Sequence, residues 1–243
     1  MGSWTRSLHR NAAGRTGIDF SHLQPKPSML RLDFLSLLAT LAVPATLSAQ
    51  ATADSGSFVV RHAGDTVAIE RFSRTGIKLE GTLALRNPKK TSEHYSAVIA
   101  PDATLPLIEV TVRQGADSGP VKAKIVQRAR VIFKEDSAAV DEVGDAGLVT
   151  RVFGTEEGAI PYLNLSFALL EQAVRRGRMT PGASHLAFFN LGGGQTVSAR
   201  MSPLGSDSLR LDIGDIRFHL RVDREGRVLG GRVPSQNLVV ERQ

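Results

Sequence analysis

Over residues 121–133 the chain alternates apolar and charged side chains, with Val121, Ala123, Ile125, Ala129, Val131 and Phe133 at odd positions and Lys122, Lys124, Arg128 and Arg130 at even ones. A period of two suits only a β-strand, where successive side chains point to opposite faces. An ordinary strand runs to about six residues, so thirteen in phase predicts a strongly bent sheet edge or a barrel wall.

The same period recurs through the chain. Residues 58–61 and 66–72 flank Ala63-Gly64-Asp65, a short glycine-containing hairpin connection. Ile77, Leu79, Gly81, Leu83 and Leu85 alternate with Lys78, Glu80, Thr82, Ala84 and Arg86, and Asn87-Pro88-Lys89-Lys90 ends that run. Further strands are expected at 95–100 and 107–113. After residue 180 come 185–191, 196–201, a strand at Leu209, Leu211 and Ile213, one at Ile216, Phe218, Leu220 and Val222, then 227–233 and 238–241. This order reads as a closing meander. Gly192-Gly193-Gly194 has no strand-to-helix crossover and no following Gly-Lys-Ser/Thr, so it reads as a hairpin turn and not a phosphate cradle.

One segment breaks the period. Residues 162–176, preceded by Pro161, carry Leu163, Phe167, Leu170 and Val174 at helical spacing with Leu169 and Ala173 beside them, which predicts a single amphipathic helix. Arg175, Arg176 and Arg178 would complement the carbonyl end of its dipole, and Gly177 and Pro181-Gly182 would stop it.

Residues 29–53, MLRLDFLSLLATLAVPATLSAQATA, read as an export signal: Arg31 precedes an apolar run, and small residues follow in the frames Ala49-Gln50-Ala51 and Ala51-Thr52-Ala53. The run is too short to span a bilayer. Residues 1–28 look like an extension, either because Met29 is the true initiator or because the signal has a long n-region. The organisation expected is an extension (1–28), a cleaved signal (29–51) and one β-barrel-like domain (55–243), with a periplasmic or secreted mature form that has no membrane span.

The formal charge is +6, but residues 1–50 carry five Lys/Arg and two Asp/Glu, so the remainder is +3. That imbalance gives no electrostatic case for nucleic acid. Cysteine is absent, which removes disulfides, thiolate metal sites, a catalytic thiol and a lipidated cysteine after the signal. Trp4 lies ahead of the signal, and Tyr95 and Tyr162 are the two tyrosines, so base-stacking or sugar platforms are poorly supplied.

No catalytic or metal-binding residue is assigned. His62, His94, His185 and His219 are isolated, without metal-ligand spacing. Ser184 and His185 are adjacent and would face opposite ways on a strand, and no G-x-S-x-G elbow occurs. The acid pairs Glu135-Asp136, Asp141-Glu142 and Glu156-Glu157 sit in turn-like polar stretches.

An opening hairpin around Arg61-His62-Ala63-Gly64-Asp65-Thr66-Val67, a curved sheet, one internal helix and a closing meander resemble the periplasmic half-barrel carriers of the Lol lipoprotein-sorting type. They also resemble related exported barrel domains of unknown function. The closing segments, Val222-Asp223-Arg224-Glu225-Gly226-Arg227-Val228-Leu229 and Asn237-Leu238-Val239-Val240-Glu241-Arg242, are similar to the final strands of such domains. The resemblance implies an acyl chain held between the concave face of the sheet and the helix.

The fold expected is mainly β, a curved antiparallel sheet forming a barrel or half-barrel with one amphipathic helix packed against it. The leading function is a non-enzymatic exported binding protein for a lipid-like or other apolar ligand, with no cofactor. Its candidate ligand-binding residues are Leu163, Phe167, Leu170, Val174, Leu83, Ile125, Phe188 and Phe218. An envelope interaction or assembly module with a filled core, using the basic face of Lys122, Lys124, Arg128 and Arg130, is the alternative. A hydrolase-associated domain is the third.

Overall fold

The computed structural model describes residues 53–86, 88–115, 123–144, 147–179 and 185–243. The segments 1–28 and 29–51, and with them the export signal, lie outside the described residues, as do Val121, Lys122, Pro181, Gly182 and Ser184.

Eight strands precede the helix as one antiparallel meander: β1 (Asp54–His62), β2 (Asp65–Arg74), β3 (Lys78–Leu85), β4 (Thr91–Val98), β5 (Leu107–Gln114), β6 (Lys124–Lys134), β7 (Ser137–Gly144) and β8 (Gly147–Gly154). The short β9 (Ile160–Tyr162) leads into α1 (Phe167–Met179). A second antiparallel meander follows: β10 (His185–Asn190), β11 (Thr196–Pro203), β12 (Ser208–Ile213), β13 (Ile216–Val222), β14 (Val228–Val233) and β15 (Leu238–Arg242). The two meanders join where β1 pairs antiparallel with β15, Val60 opposite Val240, and β9 pairs parallel with β10. The result is one curved sheet of fifteen strands whose edges are β8 and β9, open and not closed into a barrel.

Alternation determines which face lines the interior. Phe58 and Val60, Ala68 and Phe72, Leu79 and Leu83, Tyr95 and Ala97, Ile108 and Val110, and Phe218, Leu220 and Val222 are buried in one continuous core with α1. Eight consecutive helix residues, Phe167 to Val174, are buried, including Glu171 and Gln172. The stripe expected on one face is therefore one side of a rod that the sheet encloses.

The expected helix start is corrected. Tyr162 belongs to β9, Leu165 takes a left-handed turn conformation (φ 65°), and Ser166 is the N-cap, its Oγ accepting from the Leu169 N–H at 3.4 Å. The end is corrected too, because the helix runs through Gly177, where a β-carbon would collide with Met201. β7 and β8 replace the polar stretch expected around Asp141-Glu142, which lies in β7. Their alternation is weak because β8 is exposed on both faces along most of its length. Six strands follow the helix, one at each of the six segments expected.

The helix N-terminus is held by a carboxylate from β2. Glu70 is fully buried; its Oε2 accepts from the N–H groups of Phe167 (2.7 Å) and Ala168 (3.0 Å), and its Oε1 from the hydroxyls of Tyr95 and Ser166 (2.6 Å each). These backbone donors have no intrahelical acceptor and are buried, so their acceptor has to come from elsewhere in the fold. Tyr95 reaches Glu70 by lying across its cross-strand partner Gly81, whose missing side chain leaves the room.

Gly81→Ala pushes the Tyr95 ring off its seat and costs about 1–3 kcal/mol in urea unfolding. Glu70→Ala strands four donors and costs about 3–5 kcal/mol, whereas Glu70→Gln, with Tyr95 and Ser166 turned to accept, costs about 1–2 kcal/mol. Burial pushes the Glu70 carboxyl above its ordinary value of 4.5, while the four donors pull it down. A carboxyl raised in the native state contributes stability that is full below its unfolded value and lost as pH rises through the native one. The stability advantage of the wild type over Glu70→Gln is thus largest at acid pH and shrinks towards neutrality, as unfolding curves across that range will show.

Candidate functional site

The inward face of β2 continues from Glu70 through Phe72 to Arg74, which is buried beside the helix. Arg74 Nη1 donates to Glu171 Oε1, and its Nη2 to the Ala168 carbonyl at 3.1 Å. Glu171 also accepts from Arg175 one turn on (3.1 Å), from Arg242 on β15 (2.5 Å) and from the Val228 N–H (2.8 Å). Asp54, at the start of β1, meets the same three arginines: Arg242 at 2.7 Å, Arg175 at 2.9 Å and Arg74 at 3.5 Å. Three guanidinium groups thus share two carboxylates between helix and sheet. Arg242 lies over the Phe72 ring (5.0 Å) and the Phe58 ring (5.7 Å), themselves stacked at 5.5 Å. Burial pulls the Arg74 guanidinium below the ordinary arginine value, with Glu171 pulling the other way; the group keeps its charge.

This cluster backs a cleft of about 390 Å³ between the C-terminal half of α1, the end of β2, the β4–β5 connection and the β13–β14 turn. Arg74, Arg175, Arg178 and Arg224 line it together with Gln172, and Ile99, Pro101 and Met179 supply apolar surface. Met179 is 58% exposed, and Ile77, beside the lining residue Gly76, is 75% exposed. Arg178 donates to the carbonyls of Asp223 (2.5 Å) and Arg224 (3.0 Å), with no carboxylate at ion-pair distance among the described residues. The one carboxylate on the wall, Glu225, lies 3.5 Å from Arg227. Gln172 is 2% exposed; its Nε2 donates to the Ala103 carbonyl at 3.0 Å, and its Oε1 is buried without a partner. A cation-rich wall beside an unused buried acceptor can take a group that carries negative charge and a hydrogen-bond donor.

Helix-end chemistry, as expected for Arg175, Arg176 and Arg178, is only part of their role. Arg176 donates to the Gly158 carbonyl, Arg178 to the β13–β14 turn and Arg175 to Asp54, so the cluster ties the helix to three separate parts of the fold. Sequence reading missed Glu70, Arg74 and Glu171 because their partners are remote in the chain.

Of the eight candidate ligand-binding residues, Leu83, Phe167, Leu170, Val174, Phe188 and Phe218 are buried in the core, and Leu163 packs against it half-buried. Ile125 lies apart, half-buried on β6. A second cavity, of about 460 Å³ on the second meander, is bordered by Leu204, Val239, His219, Arg221, Arg232 and Glu241. Among the described residues no group of three or more His, Asp or Glu could hold a metal ion. His94 Nδ1 faces Thr82 Oγ1 at 3.1 Å, and His185 Nδ1 the Ala199 carbonyl at 3.1 Å. No described helix is long and apolar enough to cross a membrane.

No family model and no curated protein matches the chain. One solved structure does. The crystal structure of a DUF1089 family protein from Pseudomonas aeruginosa aligns with a TM-score of 0.49 at 11% identity, over 69% of this chain and 90% of that one.

Glu171→Gln leaves three guanidinium groups facing Asp54 alone and costs about 3–5 kcal/mol. Arg242→Met removes one cation from a cluster that retains two, so it costs less. Paired urea titrations with far-ultraviolet circular dichroism will measure both.

Proposed function

We propose that this protein is an exported, non-enzymatic binding protein for a lipid-like amphiphile with an anionic head group, taken up at the cleft between α1 and the sheet. The observation that carries the reading is the uneven charge of that cleft, where Arg178 and Arg224 have no carboxylate partner among the described residues and lie beside the exposed apolar surface of Ile77 and Met179. Export rests on the signal-like segment 29–53.

In this reading the head group receives charge-assisted hydrogen bonds from Arg178 and Arg224, each worth about 1.5–3 kcal/mol. The chain leaves water against the apolar lip, at about 25 cal/mol per Å² buried. The interior expected to hold the ligand is occupied by Phe167, Leu170 and Val174 themselves, so a chain reaching further in has to displace the helix.

A fluorescent long-chain fatty acid and the corresponding fatty alcohol separate the head-group and chain contributions. The acid is expected to bind the wild type at least about tenfold more tightly than the alcohol, and Arg178→Glu with Arg224→Glu to remove that preference. No binding of either probe, or equal binding of the acid to wild type and double variant, would overturn the proposal.

A further inference from the structure

Twelve large apolar side chains are exposed among the described residues, and six of them lie on β6, β7 and β8, at one edge of the sheet. Leu148 is 66% and Val152 70% exposed on β8. Natural sheets blunt such edges with lysine, proline, bulges or inward-pointing charge. β8, Gly-Leu-Val-Thr-Arg-Val-Phe-Gly, has no lysine, no proline and one charge, Arg151, which is engaged by Glu142 at 3.6 Å.

The direction of its main-chain groups follows from its pairing with β7. Gly144 stands opposite Gly147, and the Thr155 N–H donates to the Asp136 carbonyl at 2.7 Å in the same phase. Odd-numbered residues of β8 therefore direct N–H and C=O towards β7, and Leu148, Thr150 and Val152 direct theirs to the open side. The Gly154 carbonyl also faces outward, where the Thr196 hydroxyl approaches it at 3.3 Å.

We infer that β8 is a homodimer interface, at which a second copy of this chain adds its own β8 antiparallel about a two-fold axis through Thr150. The strand is self-complementary in that register, which also brings the most outward main-chain groups into pairs. With Thr150 opposite its copy, Leu148 faces Val152 of the partner on both sides of the axis, and about six main-chain hydrogen bonds form. Leu–Val and Thr–Thr cross-strand pairs are both favourable. Arg151 then faces Val149. A shift of the axis to Arg151 would set like charges opposite one another and would need the Gly154 edge that Thr196 occupies. The occupant is a second copy and not an unrelated strand because the strand's own sequence supplies the complement in both directions.

The full chain should be measured by sedimentation velocity and light scattering across about 5–200 µM, the range in which small interfaces associate. A reversible monomer–dimer equilibrium is expected. Val152→Pro removes an outward N–H that β7 does not use, and Leu148→Lys with Val152→Lys opposes like charges; both should shift the protein to monomer with an unchanged circular dichroism spectrum. The chain has no cysteine, so Thr150→Cys gives a single thiol whose mild oxidation should yield a disulfide dimer, while Val143→Cys on β7 should not. A wild type that stays monomeric throughout, a dimer that survives both edge variants, or equal cross-linking at the two cysteine positions would each overturn the inference. Edge variants that keep fatty-acid binding separate this inference from the proposed function.

Discussion

A helix enclosed by a sheet has its first turn buried, and its free N–H groups need an acceptor from elsewhere in the fold. Glu70 is that acceptor. Its position on β2 fixes where α1 can begin, how far the helix is inserted, and which residues face which strands. The carboxylate is opposite in sign to the helix N-terminus, so the electrostatics that make it costly to bury also make it useful there. Gly81, Tyr95 and Ser166 all serve this one contact, and a change at any of them acts on the helix through Glu70.

The other end of the rod follows a different rule. Glu171 and Asp54 are shared by arginines from β2, α1 and β15, so three elements that are distant in sequence meet in one cluster. Such a cluster can contribute little net stability, because desolvation offsets most of the attraction between its members. Its value lies in register: only one insertion depth of α1 lets Glu171 reach Arg74 and Arg242 together. The cluster carries more positive than negative charge, and the excess lies towards the open cleft.

Much of the architecture was legible where burial is one-sided. Strands such as β2, β3, β5 and β13 show a clean period of two because one face meets the core and the other water. β8 escaped notice because exposure on both faces removes the selection for alternation, and β9 because three residues carry no period. The helix was readable from Phe167, Leu170 and Val174, but its start was misplaced because Leu163 and Leu165 are apolar in the turn before Ser166 and extend the same spacing. The charged residues of the cleft were visible as types and hidden as a site. Glu70 and Arg74 occupy inward positions of an alternating strand, and only the path of the chain shows what they face.

The pairing of β1 with β15 has a kinetic side. The strands that come first and last in chain order are neighbours, so the pairing at the centre of the sheet is the least local contact in the fold. Chains dominated by such pairings fold slowly, because loop closure precedes any return from the contact. α1 and both meanders can form beforehand, but Arg242 reaches Glu171 and Asp54 only when β15 docks. The last strand is thus a latch: until it closes, the buried acids lack one of their cations and β1 is an open edge, the state in which this chain would be most open to chaperones, proteases and aggregation.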